Sequence, residues 1–126
     1  MQQQKLPVHG QGVVLFKTKT PNSFVFLTKD QTDGIIVLFL ENAIYTSRVK
    51  TAEKYIDPNN TTGIVQDTHA YYWFSLDSQN QILCGGIGEP RIETKKYEYR
   101  FEKTADNKKF LESLNLIKHE NSLRIH

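Results

Sequence analysis

Residues able to do chemistry are sparse in this chain and widely spaced. The single thiol, Cys84, lies in the run Ile82-Leu83-Cys84-Gly85-Gly86-Ile87-Gly88, with no base beside it in sequence. A cysteine attacks as the thiolate, which needs a cationic or hydrogen-bonding neighbour, so a buried and inert side chain is expected here. The glycines have roughly the spacing of a phosphate loop. Such cradles end on a helix N-terminus, and no helical period follows Gly88, so nucleotide binding is not expected. A strand bulge, with Gly85 or Gly86 at positive φ, fits the run better. His9, His69, His119 and His126 lie far apart. His69 with Asp67 and Glu89 is the one group a hairpin could gather, and a polar surface patch is its expected role. No catalytic residue, metal ligand or cofactor is assigned.

The remaining candidates suit recognition rather than bond making. Arg48 offers a planar fork for a carboxylate or phosphate. Tyr71 and Trp73 offer broad aromatic surface, the kind that carries much of the binding energy at interfaces. Glu89 and Arg91 flank the exit from the glycine run. These five residues, Arg48, Tyr71, Trp73, Glu89 and Arg91, are the expected ligand- or partner-binding set. Each has a structural alternative, since an arginine near an acid commonly forms an internal ion pair and a tryptophan in a strand commonly packs.

Short strands must position them. Residues 71–76 are aromatic and strand-forming, Asp77-Ser78-Gln79-Asn80 supplies turn chemistry, and an apolar strand returns, so a hairpin is expected. Alternation puts Tyr71, Trp73 and Ser75 on one face and Tyr72, Phe74 and Leu76 on the other. Residues 12–17 and 23–28 read as strands joined through Pro21-Asn22, opening a hairpin-rich fold. Residues 35–40 are apolar on both faces and read as a central strand. In the next strand Ile44, Thr46 and Arg48 oppose Tyr45, Ser47 and Val49. Residues 50–68 show no period beyond a turn at Asp57-Pro58-Asn59-Asn60. A loop that long is a natural binding surface. Residues 91–101 alternate as a half-exposed strand with Tyr97, Tyr99 and Phe101 on one side. Residues 106–116 change to a helical period, with Phe110, Leu111, Leu114 and Ile117 at three- and four-residue spacing behind Thr104 or Asp106 as cap.

Seven or eight short strands and a late helix predict an all-β fold, an antiparallel β-sandwich or jelly roll with one short C-terminal helix, with a single barrel as the alternative. Residues 1–12 read as a flexible N-terminal arm, 13–118 as one domain, and 119–126 as a tail that could add a strand. The chain's 126 residues can build a core without disulfides or metal. Sixteen basic against fourteen acidic residues leave a formal charge of +2, too small and too interspersed to point to nucleic acid. The N-terminus carries no signal-peptide core, and no apolar run is long enough for a membrane span. One unpaired cysteine fits a reducing compartment, so a cytoplasmic or virion-associated protein is expected, with oligomerisation left open. The overlapping sequons at Asn59 and Asn60 are then read as chance.

The order Phe24-Val25-Phe26-Leu27-Thr28, then residues 34–42 followed by Ser47-Arg48-Val49, then a loop, then Tyr71-Tyr72-Trp73-Phe74-Ser75-Leu76-Asp77 and residues 82–89, resembles the domain named after farnesoic acid O-methyltransferase. The matching residues are Asn42, Ser47 and Arg48, then Trp73, Ser75 and Asp77, then Gly86 and Gly88, within a span of about residues 23–89. The resemblance implies a β-sandwich module of the carbohydrate-binding, ligand-binding or interaction kind. The methyltransferase in the name would imply an S-adenosylmethionine enzyme, but the chain lacks the strand, glycine loop and helix order such a cofactor uses. The expected function is therefore a non-catalytic module that binds a carbohydrate, another small ligand or a protein partner through end loops. The alternative is a structural subunit of a larger assembly such as a virion.

Overall fold

Strands with one apolar row must bury it, and here two such layers bury each other. A computed structural model describes residues 2–4, 11–16, 22–40, 43–58, 72–118 and 123–125. Sheet A runs β1 (Gln2–Gln4), β9 (Asn115–Lys118), β3 (Asn22–Leu27), β4 (Gly34–Phe39) and β5 (Ile44–Arg48) in spatial order. Sheet B runs β10 (Leu123–Ile125), β2 (Gln11–Phe16), β6 (Tyr72–Asp77), β7 (Ile82–Ile87) and β8 (Lys95–Arg100). Every pairing within the sheets is antiparallel. The fold is thus a two-sheet antiparallel β-sandwich with one short helix, not a single barrel.

The period-2 pattern decides what faces inward. Phe24 and Phe26 of β3, Ile35, Val37 and Phe39 of β4, Tyr72, Phe74 and Leu76 of β6, and Leu83 of β7 form one continuous buried cluster. The rings of Phe24 and Phe74 meet edge to face across the sandwich, with centroids 5.8 Å apart. β6 is central in its sheet, as its two bulky rows suggest. β4 also has neighbours on both sides, but among the described residues its outward row is not fully covered, and Leu38 remains exposed.

One connection departs from expectation. β2 and β3 do not form a hairpin: β2 pairs with β6 and β3 pairs with β4 and β9, so the chain crosses from one sheet to the other between them. Consecutive strands with similar alternation can pair or can face each other, and only the long-range partners decide which. The segment read as an N-terminal arm supplies β1, which pairs with β9, and the expected tail supplies β10, which pairs with β2.

Helix α1 (Ala105–Glu112) starts where the capping chemistry says it should. The Thr104 hydroxyl accepts from the Asn107 amide at 3.1 Å. The helix is shorter than its period suggested: Phe110 and Leu111 lie on it, Leu114 is buried just past its end, and Ile117 belongs to β9, where pairing with β1 and β3 overrides the helical spacing. Among the described residues no helix is long and apolar enough to cross a membrane.

The glycine run makes the expected bulge, in which β7 and β8 slip register between Gly85 and Gly86. Neither residue takes positive φ. That conformation belongs to Gly88, at +101°, where the chain leaves the strand and turns. A strand bulge needs one surplus residue rather than a left-handed backbone, whereas the turn needs the left-handed backbone.

Candidate functional site

β5 is the last strand of sheet A and would leave a row of amides and carbonyls unpaired. The chain returns along that edge: Arg48 N donates to the Glu53 carbonyl at 2.8 Å, Tyr55 N donates to the Thr46 carbonyl at 3.0 Å, and Ser47 bridges Lys54. This return satisfies the edge and raises a wall beside the sheet. Between the wall and the outer face of β4 and β5 lies a groove of about 550 Å³, lined by Leu38, Leu40, Ile44, Tyr45, Ser47, Lys54, Ile56 and Pro58 among others. Leu38 and Tyr45 are register partners across the two strands and point into it. They are 37% and 48% exposed, and Ile56 on the wall is 67% exposed. The volume lies within the range of small-molecule sites.

Two links tie the wall to sheet B. The Tyr97 hydroxyl of β8, buried in the core, donates to the Tyr55 carbonyl at 2.7 Å, and Thr46 Oγ1 of β5 lies 2.5 Å from the same hydroxyl. Burial pushes the Tyr97 phenol well above its ordinary value and the Tyr55 phenol up to about 12, so both stay neutral. Asp57 Oδ2 accepts from the Glu98 amide at 2.8 Å, occupying a donor of β8, which lies at one edge of sheet B. The wall is therefore held from both sheets and the groove is built in advance of any ligand.

The residues expected to bind have mostly found partners inside the protein. Arg48 gives two hydrogen bonds to Asp33 Oδ2, from Nε at 2.9 Å and from Nη2 at 2.7 Å. Its guanidinium also lies 4.0 Å from the ring centre of Phe110 on α1. Asp33 Oδ1 accepts from the amides of Gly34 and Lys50. Burial works to raise the Asp33 carboxyl, but the bonds from Arg48, Gly34 and Lys50 outweigh it and hold it below its ordinary value. Arg48 is thus the centre of a clamp joining the 29–34 turn, the β5 end and the helix.

Trp73 points out of sheet B yet is only 5% exposed, because residues 89–94 fold over it. Its indole Nε1 donates to Thr94 Oγ1 at 3.0 Å, and that hydroxyl also bonds the Glu89 carbonyl. Gly86 sits opposite Trp73 in register, and a Cβ there would run into the indole and the Thr94 carbonyl. Glu89 and Arg91 form an exposed pair at 3.8 Å on this strap. Tyr71, Asp67, His69 and the 59–68 part of the loop lie outside the described residues. The structure therefore brings Trp73, Glu89 and Arg91 into one region and places Arg48 in another.

Cys84 is half-buried, and burial together with the nearby Glu98 carboxylate pushes its thiol up, away from the reactive thiolate. No group of His, Cys, Asp and Glu able to hold a metal ion occurs among the described residues. No family model, curated protein or solved structure matches this chain.

Lys54 and Ile56 fall within the 50–68 loop expected to bind, whereas Leu38 and Tyr45 carried no binding expectation in the sequence. The signal available was a tyrosine on the polar row of β5, beside Ser47, directly after a strand that is apolar on both faces. What made it invisible is that the groove depends on the path of residues 53–58, which carry no period.

Proposed function

We propose that this protein is a non-catalytic recognition module whose small ligand sits in the groove on the outer face of β4 and β5, rather than among the end loops. The observation that carries this reading is the preformed wall: residues 53–58 are fixed to both sheets while leaving Tyr45, Leu38 and Ile56 exposed. Exposed apolar side chains converging on a concave site are the usual mark of a binding surface. The other chemistry-bearing groups support it, since Arg48 is engaged by Asp33, Trp73 is covered, and the Cys84 thiol is held protonated. The motif resemblance to the domain named after farnesoic acid O-methyltransferase points the same way, to a binding module.

The test is a ligand screen by two-dimensional NMR on the full chain, with saccharides and small amphiphiles as probes. A true ligand shifts the Leu38, Tyr45 and Ile56 resonances and loses affinity in Tyr45→Ala. A ligand whose affinity survives both Tyr45→Ala and Leu38→Ala in folded protein would remove the groove as the site.

A further inference from the structure

Resting on that reading of the groove, we infer the class of its ligand: an amphipathic anion, with an apolar body lying along Leu38, Tyr45 and Ile56 and an acidic head at Lys54. Three observations lead there. The walls and floor are chiefly apolar, from Leu38, Leu40, Ile44, Ile56 and Pro58 with the ring of Tyr45.

The polar groups near the groove are largely committed elsewhere. The Thr46 hydroxyl is turned into the core against Tyr97, the Tyr55 carbonyl accepts from Tyr97, and Asp57 accepts from the Glu98 amide. A saccharide brings many hydroxyls, each of which loses water on binding and needs a partner to replace it. The hydroxyls of Tyr45 and Ser47 are too few for that. An apolar body makes no such demand and gains by burial.

Lys54 supplies the remaining feature. It lines the groove, its side chain is exposed, and it makes no ion pair among the described residues, whereas the other charged lining residue, Asp57, already accepts at Oδ2 from the Glu98 amide. A cation at the rim of an apolar trough is complementary to a carboxylate, sulfate or phosphate ester carried on an apolar chain. The attraction strengthens as the ligand displaces water from around the ammonium.

The experiment compares sodium decanoate, decanol and maltose with the full chain by NMR titration, in the native protein and in Lys54→Gln. Lys54 is exposed, so the substitution leaves the fold intact. Decanoate should shift the Leu38, Tyr45 and Ile56 resonances and bind more tightly than decanol. Lys54→Gln should weaken decanoate about fivefold and leave decanol unchanged. Equal affinity for decanoate and decanol, or an unchanged decanoate affinity in Lys54→Gln, would overturn the anionic head. Shifts with maltose alone would overturn the ligand class while keeping the groove. Silence of these resonances with all three probes would overturn the class and count against the groove itself.

Discussion

Each sheet turns one large aromatic side chain away from the core, and the two meet opposite fates. Trp73 on sheet B is roofed by residues 89–94, pinned through its indole to Thr94 and accommodated by the missing side chain of Gly86. Tyr45 on sheet A has a wall beside it and nothing over it among the described residues. Both began as bulky residues on the outward row of an antiparallel strand. An outward aromatic row becomes core when a neighbouring segment covers it and a binding surface when the neighbouring segment stands beside it, as described residues 53–58 do at Tyr45. The roof over Trp73 rests on one side-chain hydroxyl, whereas the wall beside Tyr45 rests on backbone pairing and two cross-sheet links.

The contrast breaks most severely at Gly86. Gly86→Ala forces a Cβ into the Thr94 carbonyl and the Trp73 indole, and should destabilise the protein by about 1–3 kcal/mol in chemical unfolding. Trp73 is the only tryptophan, so its emission reports the roof directly, and a red shift should accompany the loss. An unshifted spectrum with native stability would mean that the strap does not cover the indole.

Arg48→Ala separates structural from binding roles. Removing the guanidinium leaves Asp33 without its ion partner and frees Phe110, which should cost about 2–3 kcal/mol. Ligand affinity of the folded fraction should be unchanged, whereas loss of binding without loss of stability would restore Arg48 as a ligand contact. The same clamp sets an acid limit. A carboxyl held below its ordinary value stabilises the fold above that value and loses the contribution as pH falls through the lowered one. Stability should thus decline below about pH 4, with a shallower decline in Asp33→Asn.

Thr94→Val keeps the shape of the strap and deletes its tie. The expected loss is about 1 kcal/mol, with a modest red shift of Trp73 emission smaller than that of Gly86→Ala. A larger spectral change than in Gly86→Ala would place the weight on the hydrogen bond rather than on the close packing.

Tyr45→Ala should alter stability least, within about 0.5 kcal/mol, because the ring is about half exposed and no described residue roofs it. Its effect belongs in the binding titration. A drop of several kcal/mol would show that the Tyr45 ring packs as Trp73 does, and the contrast between the sheets would vanish.

Much of this architecture was legible in the residues. The rows of Tyr72, Phe74 and Leu76, and of Ile35, Val37 and Phe39, follow from an alternation that any extended chain must obey, and each row faces the core. The start of the helix, with Thr104 among its two candidate caps, and the bulge at the two glycines were equally local, whereas the end of the helix was set by the pairing of β9 with β1 and β3. The site was less legible. Arg48 reads as a binding residue because its acid lies 15 positions away in a turn, and Trp73 reads as either core or platform until Thr94, 21 positions on, is seen above it.

Local periodicity thus determined which side of each strand is apolar, since side-chain direction depends only on the backbone of neighbouring residues. Which strands pair, which outward rows are covered, and where a groove opens depend on contacts between distant segments. Those contacts are set by packing the whole chain at once, and only the tertiary structure decided that Trp73 would be sealed and Tyr45 left open.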